Sequence, residues 1–168
     1  MSTVEDHVGS RIDEVLERVR RRLPHRPTAA ELPALRAQGA LIVDIRPVEQ
    51  RSRDGELPGA VVVDRNVLEW RLDPTSPHRV LETIDADREI VLVCNEGYAS
   101  SLAAASLQQL GLHRAIDLDG GFQAVLAESG LAESGRDGAH GTAGSRVEDQ
   151  ASVPHDERAI DEHVDDPR

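Results

Sequence analysis

The run Glu89-Ile90-Val91-Leu92-Val93-Cys94-Asn95-Glu96-Gly97-Tyr98-Ala99-Ser100-Ser101 decides the fold. Its apolar half, short and mostly β-branched, reads as a strand buried on both faces, as in a parallel sheet. Ala99 to Leu110, with Leu102, Ala103, Ala105, Ser106, Leu107 and Leu110, reads as a helix that Gly111 ends. In a strand–loop–helix unit, backbone N–H groups of the loop and of the first helical turn converge on one point. Such a concavity binds anions and favours a thiolate. Cys94 stands at its edge, so it reads as a reactive thiol rather than an inert strand-end cysteine. Gly97 gives the loop the freedom to curl, and Ser100 or Ser101 is expected to cap the helix and turn a hydroxyl toward the sulfur. An exposed loop also implies that Gly97→Val impairs activity more than stability.

Outward from this unit, Ala40–Asp44, Ala60–Val63 and Arg114–Leu118 read as further short strands. Between them lie a helix from Ala29 to Gln38 capped by Thr28, a short helix through Leu68 and Trp70 capped by Asn66, and a last helix from Phe122 to Ser129 closed by Gly130. Residues 47–56 read as polar and turn-like. Val4, Val8, Ile12, Val15, Leu16, Val19 and Leu23 have helical spacing, with Ser2 and Glu5 as a capping box and Pro24 as the stop. Arg18, Arg20, Arg21 and Arg22 crowd the end of that helix and read as a solvated helix end rather than a phosphate or RNA patch.

The expected architecture is therefore α/β: three layers, a mostly parallel sheet flanked by helices. An N-terminal helix (1–24) precedes the domain (25–131), and an acidic tail (132–168) follows it. In such sheets sites gather beyond the strands' carboxyl ends, here Asp44-Ile45-Arg46, Cys94–Ser101 and Asp119–Phe122.

Composition narrows the function. The chain has 168 residues, a formal charge of −12 and one cysteine, so neither an intrachain disulfide framework nor a Cys-rich zinc site is available. The lone thiol suits a reducing compartment, and we expect a cytoplasmic protein. An acidic chain argues against general nucleic-acid binding, and no apolar run approaches the roughly 20 residues of a membrane helix. All 19 basic residues are Arg, which points to a GC-rich bacterial genome. From Ser129 onward, 10 acidic residues stand against 4 Arg, with few large apolar side chains. We read 132–168 as disordered, and its His140, His155 and His163 as too widely spaced for a metal site.

Taken in order, these pieces resemble a single-domain rhodanese, a member of the sulfurtransferase superfamily, over residues 27–130. Leu41-Ile-Val-Asp44-Ile-Arg46 is similar to the family's first strand, Gly55-Glu-Leu-Pro58-Gly59-Ala60 to its Gly-His-Ile-Pro-Gly-Ala turn, and Ile90–Ser101 to its cysteine loop. Ala103-Ala104 with Leu107 and Leu110 resembles the following helix, and Leu118-Asp-Gly120-Gly121-Phe122 the turn before the last one. The resemblance implies that the Cys94 thiolate takes a sulfur atom from a donor, becomes a persulfide and hands the sulfur to an acceptor, with no metal or organic cofactor. It implies Asn95, Glu96, Gly97, Tyr98, Ala99 and Ser100 as the anion cradle, and Asp44 with Arg46 as a pair bracing the loop. The donor and acceptor would be small molecules or proteins.

The sequence departs from the pattern at Glu56, where His is usual, at Val125, where Trp is frequent, and at Glu96, a carboxylate that would repel an anionic donor such as thiosulfate. Arg65 and Arg71 flank Trp70 and can supply positive charge, with Arg71 favoured as the substrate contact. Trp70, Tyr98 and Phe122 are expected to rim one face. Alternatives are a phosphatase, which needs an Arg closing the loop where this chain has none from Cys94 to Leu110, a non-catalytic docking module, and a persulfide carrier serving a protein partner.

Overall fold

In a computed structural model, which describes residues 9–80 and 85–136, four strands form one parallel sheet. They are β1 (Leu41–Asp44), β2 (Val61–Val62), β3 (Ile90–Val93) and β4 (Ala115–Asp117), in the order β2-β1-β3-β4. The register pairs Asp44 with Val93 and Leu92 with Asp117, so the three carboxyl ends lie close together. Alternate strand residues enter two cores. Leu41, Val43, Ile90 and Leu92 pack in one with Leu68, Leu72, Ala103 and Leu107, while Ile42, Val91, Val93 and Ile116 pack in the other with Leu32, Leu57 and Phe122. Both faces of β1, β3 and β4 are covered, which is why β1 and β3 read as apolar runs instead of alternating ones.

The helices are α1 (Arg11–Arg20), α2 (Leu32–Ala37), α3 (Val48–Asp54), α4 (Leu68–Leu72), α5 (Ala99–Gln109) and α6 (Gly121–Arg136). The expected three-layer α/β architecture with its N-terminal helix is thus present. From β1 the chain moves to β2 on one side, and from β3 to β4 on the other. The crevice between the ends of β1 and β3 is therefore the topological switch point, where doubly wound sheets place their ligands.

Several local expectations are corrected. Residues 9 and 10 are not helical, and α1 starts at Arg11, where Ser10 and Asp13 make the capping box. Ser10 lowers the Asp13 carboxyl below its ordinary value by side-chain and then backbone hydrogen bonds. Val4, Val8 and the Ser2–Glu5 pair lie outside the described residues. The stretch 47–56, read as a turn, contains α3, entered through Pro47 and ended by Gly55 at φ +95°. This helix buries none of its residues, so no apolar period could announce it. Asp64 rather than Asn66 caps the short turn before α4, its side chain accepting from the Asn66 N–H at 2.8 Å. Gly130 does not end α6, which runs on to Arg136, so 132–136 are helical rather than disordered. An added methyl at Gly130 would meet nothing, and a mid-helix glycine costs only about 1 kcal/mol. The rest of the acidic tail, 137–168 with its three histidines, lies outside the described residues.

Candidate active site

Cys94 follows β3 and is 7% exposed at the switch-point crevice. The Gly97 N–H donates to its Sγ at 3.1 Å, and the Ser100 Oγ lies 3.1 Å from the same sulfur. One N–H donor and one hydroxyl able to donate at the same sulfur suit a negative charge there. Neither serine caps α5: Tyr98 holds that position without a side-chain cap bond, and Ser100 and Ser101 are buried within the first turn. The hydroxyl turned to the sulfur is that of Ser100.

The loop carbonyls are held by partners outside the loop, while the Gly97 N–H faces the sulfur. Cys94 O accepts from the Phe122 N–H at 2.8 Å and Asn95 O from the Gln123 N–H at 3.0 Å. These donors are unpaired N–H groups of the first turn of α6. The Gln123 side chain also donates to Asn95 Oδ1 at 3.0 Å. Gly97 O accepts from Arg20 Nη2 at 2.7 Å and lies 3.1 Å from Ser101 Oγ.

Below the crevice Asp44 and Arg46 are fully buried and joined by a fork, with Arg46 Nη2 2.7 Å from Asp44 Oδ2 and Nε 3.0 Å from Oδ1. Arg46 Nη2 also donates to Gly55 O at 2.9 Å, and its guanidinium stacks 3.5 Å from the Phe122 ring centre. Arg46 Nη1, without a hydrogen-bond partner, is thereby carried by a guanidinium lying on an aromatic face. Through Phe122 the pair reaches the residue whose N–H holds Cys94 O.

The cavity over Cys94 measures about 340 Å³; its walls include Arg46, Gln50, Arg65, Glu96, Tyr98 and Ala99. Arg65, paired with Glu69 at 3.0 Å, supplies a cation there. Arg71 does not: among the described residues it is absent from these walls, and its Nη1 donates to His78 O. The aromatics do not share a rim. Tyr98 lines the cavity, Phe122 is buried beneath Arg46, and Trp70 is exposed on α4. Glu56 pairs with Arg51 at 2.8 Å. A second cavity of about 430 Å³, between α2 and α6, is apolar and holds no thiol, base or acid apart from Glu128.

Gly97 is buried, not exposed as expected. At φ +81°, a Cβ there would meet Gly120 N at 2.9 Å and Leu118 O at 3.2 Å. Gly97→Val is therefore expected to lower stability and not only activity. Sequence reading also missed Arg20, Arg26 and Asp117. Arg20 is no solvated helix end: it bonds Gly97 O and Ser101 Oγ and lies 5.6 Å from the Tyr98 ring centre. Arg26 grips Asp117 through Nε at 3.0 Å and Nη2 at 3.1 Å, and pairs with Asp119 at 2.8 Å. The side-chain hydrogen bond to Asp117 raises the Arg26 guanidinium above its ordinary value, against desolvation. The one signal was Asp117 itself, an acid inside a run otherwise fit for a buried strand.

A doubly wound parallel sheet carrying one cysteine at its switch point, in a loop whose Gly97 N–H meets the sulfur, defines a cysteine-loop α/β domain. The rhodanese-like domain model matches residues 28–128, and the chain belongs to that family. A Pseudomonas savastanoi protein named thiosulfate sulfurtransferase GlpE is 34% identical over 90 residues, spanning 54% of this chain and 76% of that protein. Its Pseudomonas entomophila namesake is 36% identical over 90 residues, spanning 54% and 73%. Among solved structures, a Rhodopseudomonas palustris protein of unknown function, described as a possible tyrosine phosphatase, superposes with a TM-score of 0.63 at 31% identity, covering 73% of this chain and 93% of that one. A human single-domain sulfurtransferase gives 0.53 at 25% identity, covering 61% and 96%. Among the described residues no helix is long and apolar enough to cross a membrane.

Proposed function

We propose that this protein is a sulfurtransferase that works through a persulfide on Cys94. The observation that carries the reading is the sulfur held by the Gly97 N–H and the Ser100 hydroxyl at the floor of an open cavity. The Cys94 thiolate attacks the outer sulfur of a donor. A sulfur–sulfur bond forms as the donor's bond to that sulfur breaks, and the donor leaves with the electron pair, as sulfite from thiosulfate or as a thiolate from a persulfide. Cys94 then carries a terminal anionic sulfur, for which the cradle of N–H groups is suited. An acceptor nucleophile takes that sulfur and returns the thiolate. Redox balance closes within the two half-reactions, so the cycle calls on no metal or organic cofactor. Asn95, Glu96, Gly97, Tyr98, Ala99 and Ser100 form the cradle, Arg65 rather than Arg71 stands at its wall, and Asp44 with Arg46 braces it. Residues 25–131 are the rhodanese-like unit, with α6 extending past its end. A thiol that must stay reduced fits a bacterial cytoplasm. Incubation with thiosulfate or a persulfide donor, followed by intact mass, tests the reading: one added sulfur atom is expected, and none from any donor would overturn it.

The phosphatase description of the R. palustris relative finds little support in this loop. Phosphoryl transfer through cysteine needs a guanidinium closing the loop on the oxyanion. Here Arg46 is committed to Asp44 and Arg65 to Glu69.

Glu96 bears on the donor. It is an exposed carboxylate on the cavity wall, and a dianion entering beside it meets like charge. Glu96→Gln is expected to raise kcat/KM for thiosulfate about three- to tenfold at low ionic strength, less at high salt. For a thiol persulfide of low charge the gain should be smaller. Equal gains for both donors, insensitive to salt, would show that Glu96 does not act by charge.

A further inference from the structure

Residues 10–27 precede the region matched by the family, yet they reach its cysteine loop. We propose that this segment belongs to the active site and that Arg20 and Arg26 are its positioning residues, fixing the Gly97 carbonyl and the Asp117 carboxylate and, through them, the Ser100 hydroxyl beside Cys94.

The peptide between Gly97 and Tyr98 is planar and trans, so its C=O and N–H point in opposite directions. Arg20 Nη2 draws the carbonyl to 2.7 Å, with Arg26 Nη2 behind it at 3.5 Å. The Tyr98 N–H is thereby aimed away from α1. Arg20 does for Gly97 O what the first turn of α6 does for Cys94 O and Asn95 O, so the loop is pinned from two sides.

The second effect is on a proton. Ser100 has one hydroxyl hydrogen and two acceptors in reach, Cys94 Sγ at 3.1 Å and Asp117 Oδ2 at 3.4 Å. Asp117 is fully buried, and Ser101 already donates to its Oδ2 at 2.7 Å. With Arg26 adding two more bonds, Asp117 is satisfied and neutralised, and the Ser100 hydrogen is left for the sulfur. Without Arg26, a buried carboxylate would claim that hydrogen and repel the thiolate. The other charged or titratable groups around the site are Glu96, Tyr98 and Arg65 at the cavity wall, Arg46 paired to Asp44 beneath it, and Asp119, held by Arg26.

The test reads Cys94 directly, through its rate of alkylation by iodoacetamide against pH. Arg26→Gln is expected to displace the rate–pH profile upward by about one pH unit, roughly tenfold slower at neutral pH, with the plateau at high pH unchanged. Arg26→Gln combined with Asp117→Asn should return the profile to within a few tenths of wild type, because the unpaired charge is gone. Arg20→Gln, on a surface helix, should slow alkylation at neutral pH about threefold. Arg21→Gln, whose partner is Glu17 on the exposed face, should change nothing. Folded Arg20 and Arg26 variants with wild-type profiles overturn the proposal, whatever their melting temperatures. If Arg26→Gln does not fold, Arg20→Gln and the double variant decide alone. Alkylation needs no sulfur donor. A displaced profile in a protein that transfers no sulfur would therefore uphold these roles and overturn the sulfurtransferase reading on which their catalytic meaning rests.

Discussion

Cys94→Ser is expected to abolish sulfur loading and to reduce sulfur transfer to an acceptor by at least about a thousandfold. The substitution is close in shape, so the loop has no reason to move. What changes is the nucleophile: a serine hydroxyl stays protonated at neutral pH, and the two groups shown in contact with the sulfur, the Gly97 N–H and the Ser100 hydroxyl, include no base that could activate it. Gly97 N–H and Ser100 Oγ would hold the hydroxyl as they hold the thiol. Stability should therefore change by less than about 1 kcal/mol, the scale of a single exchanged hydrogen bond. Intact mass after incubation with a donor, and thiocyanate release from the same mixture after cyanide is added, read the two half-reactions separately. A variant that still gains one sulfur atom, or still releases thiocyanate, would show that Cys94 does not carry the transferred sulfur. That result would leave a docking module or a different nucleophile to be considered.

The sequence made the sheet and the cysteine loop legible for the same reason. Strands buried on both faces must be apolar throughout, so Ile90–Val93 and Leu41–Val43 announce themselves, and a loop between such a strand and a helix has few geometries open to it. Even the Asp44–Arg46 pair is visible as two charges at the end of an apolar run. What stayed hidden depends on contacts across the chain. Arg20 and Ser101 lie 81 residues apart, and Arg26 and Asp117 lie 91 apart. Arg20 sits among Arg18, Arg21 and Arg22, and nothing local tells the one that turns inward from those that stay in water. Arg65 and Arg71 posed the same difficulty: six residues apart around a short helix, they are separated only by where α4 sits on α5. The helix α3 was missed for the opposite reason, since it buries nothing and so leaves no period to read. Gly97 was misjudged because a loop that curls around an anion was assumed to face solvent, whereas its back rests on the Gly120–Gly121 turn.

That turn carries the largest expected effect on the fold. Gly121→Ala would place a Cβ 2.5 Å from Cys94 O, 2.7 Å from Gly97 N and 2.8 Å from Asn95 C, at a φ of +59°. All three are backbone atoms, so no rotamer change relieves them. The turn must withdraw from the cysteine loop, or the loop from the turn. Either movement breaks the bond from the Phe122 N–H to Cys94 O and frees the carbonyl that the first turn of α6 holds outward. Overpacking of this kind and the unfavourable φ together should lower stability by about 3 kcal/mol or more, read as a shift in denaturation midpoint. Gly39→Ala separates the two causes. Its φ is +92°, but a Cβ there meets nothing within 4 Å, so it should lose only about 1–2 kcal/mol and leave Cys94 alkylation unchanged. If Gly121→Ala costs no more than Gly39→Ala and alkylates at the same rate, the turn is not what shapes the loop. If instead it loses both stability and thiol reactivity, the cradle is held by the close approach of two backbones, an approach that only a residue without a side chain permits.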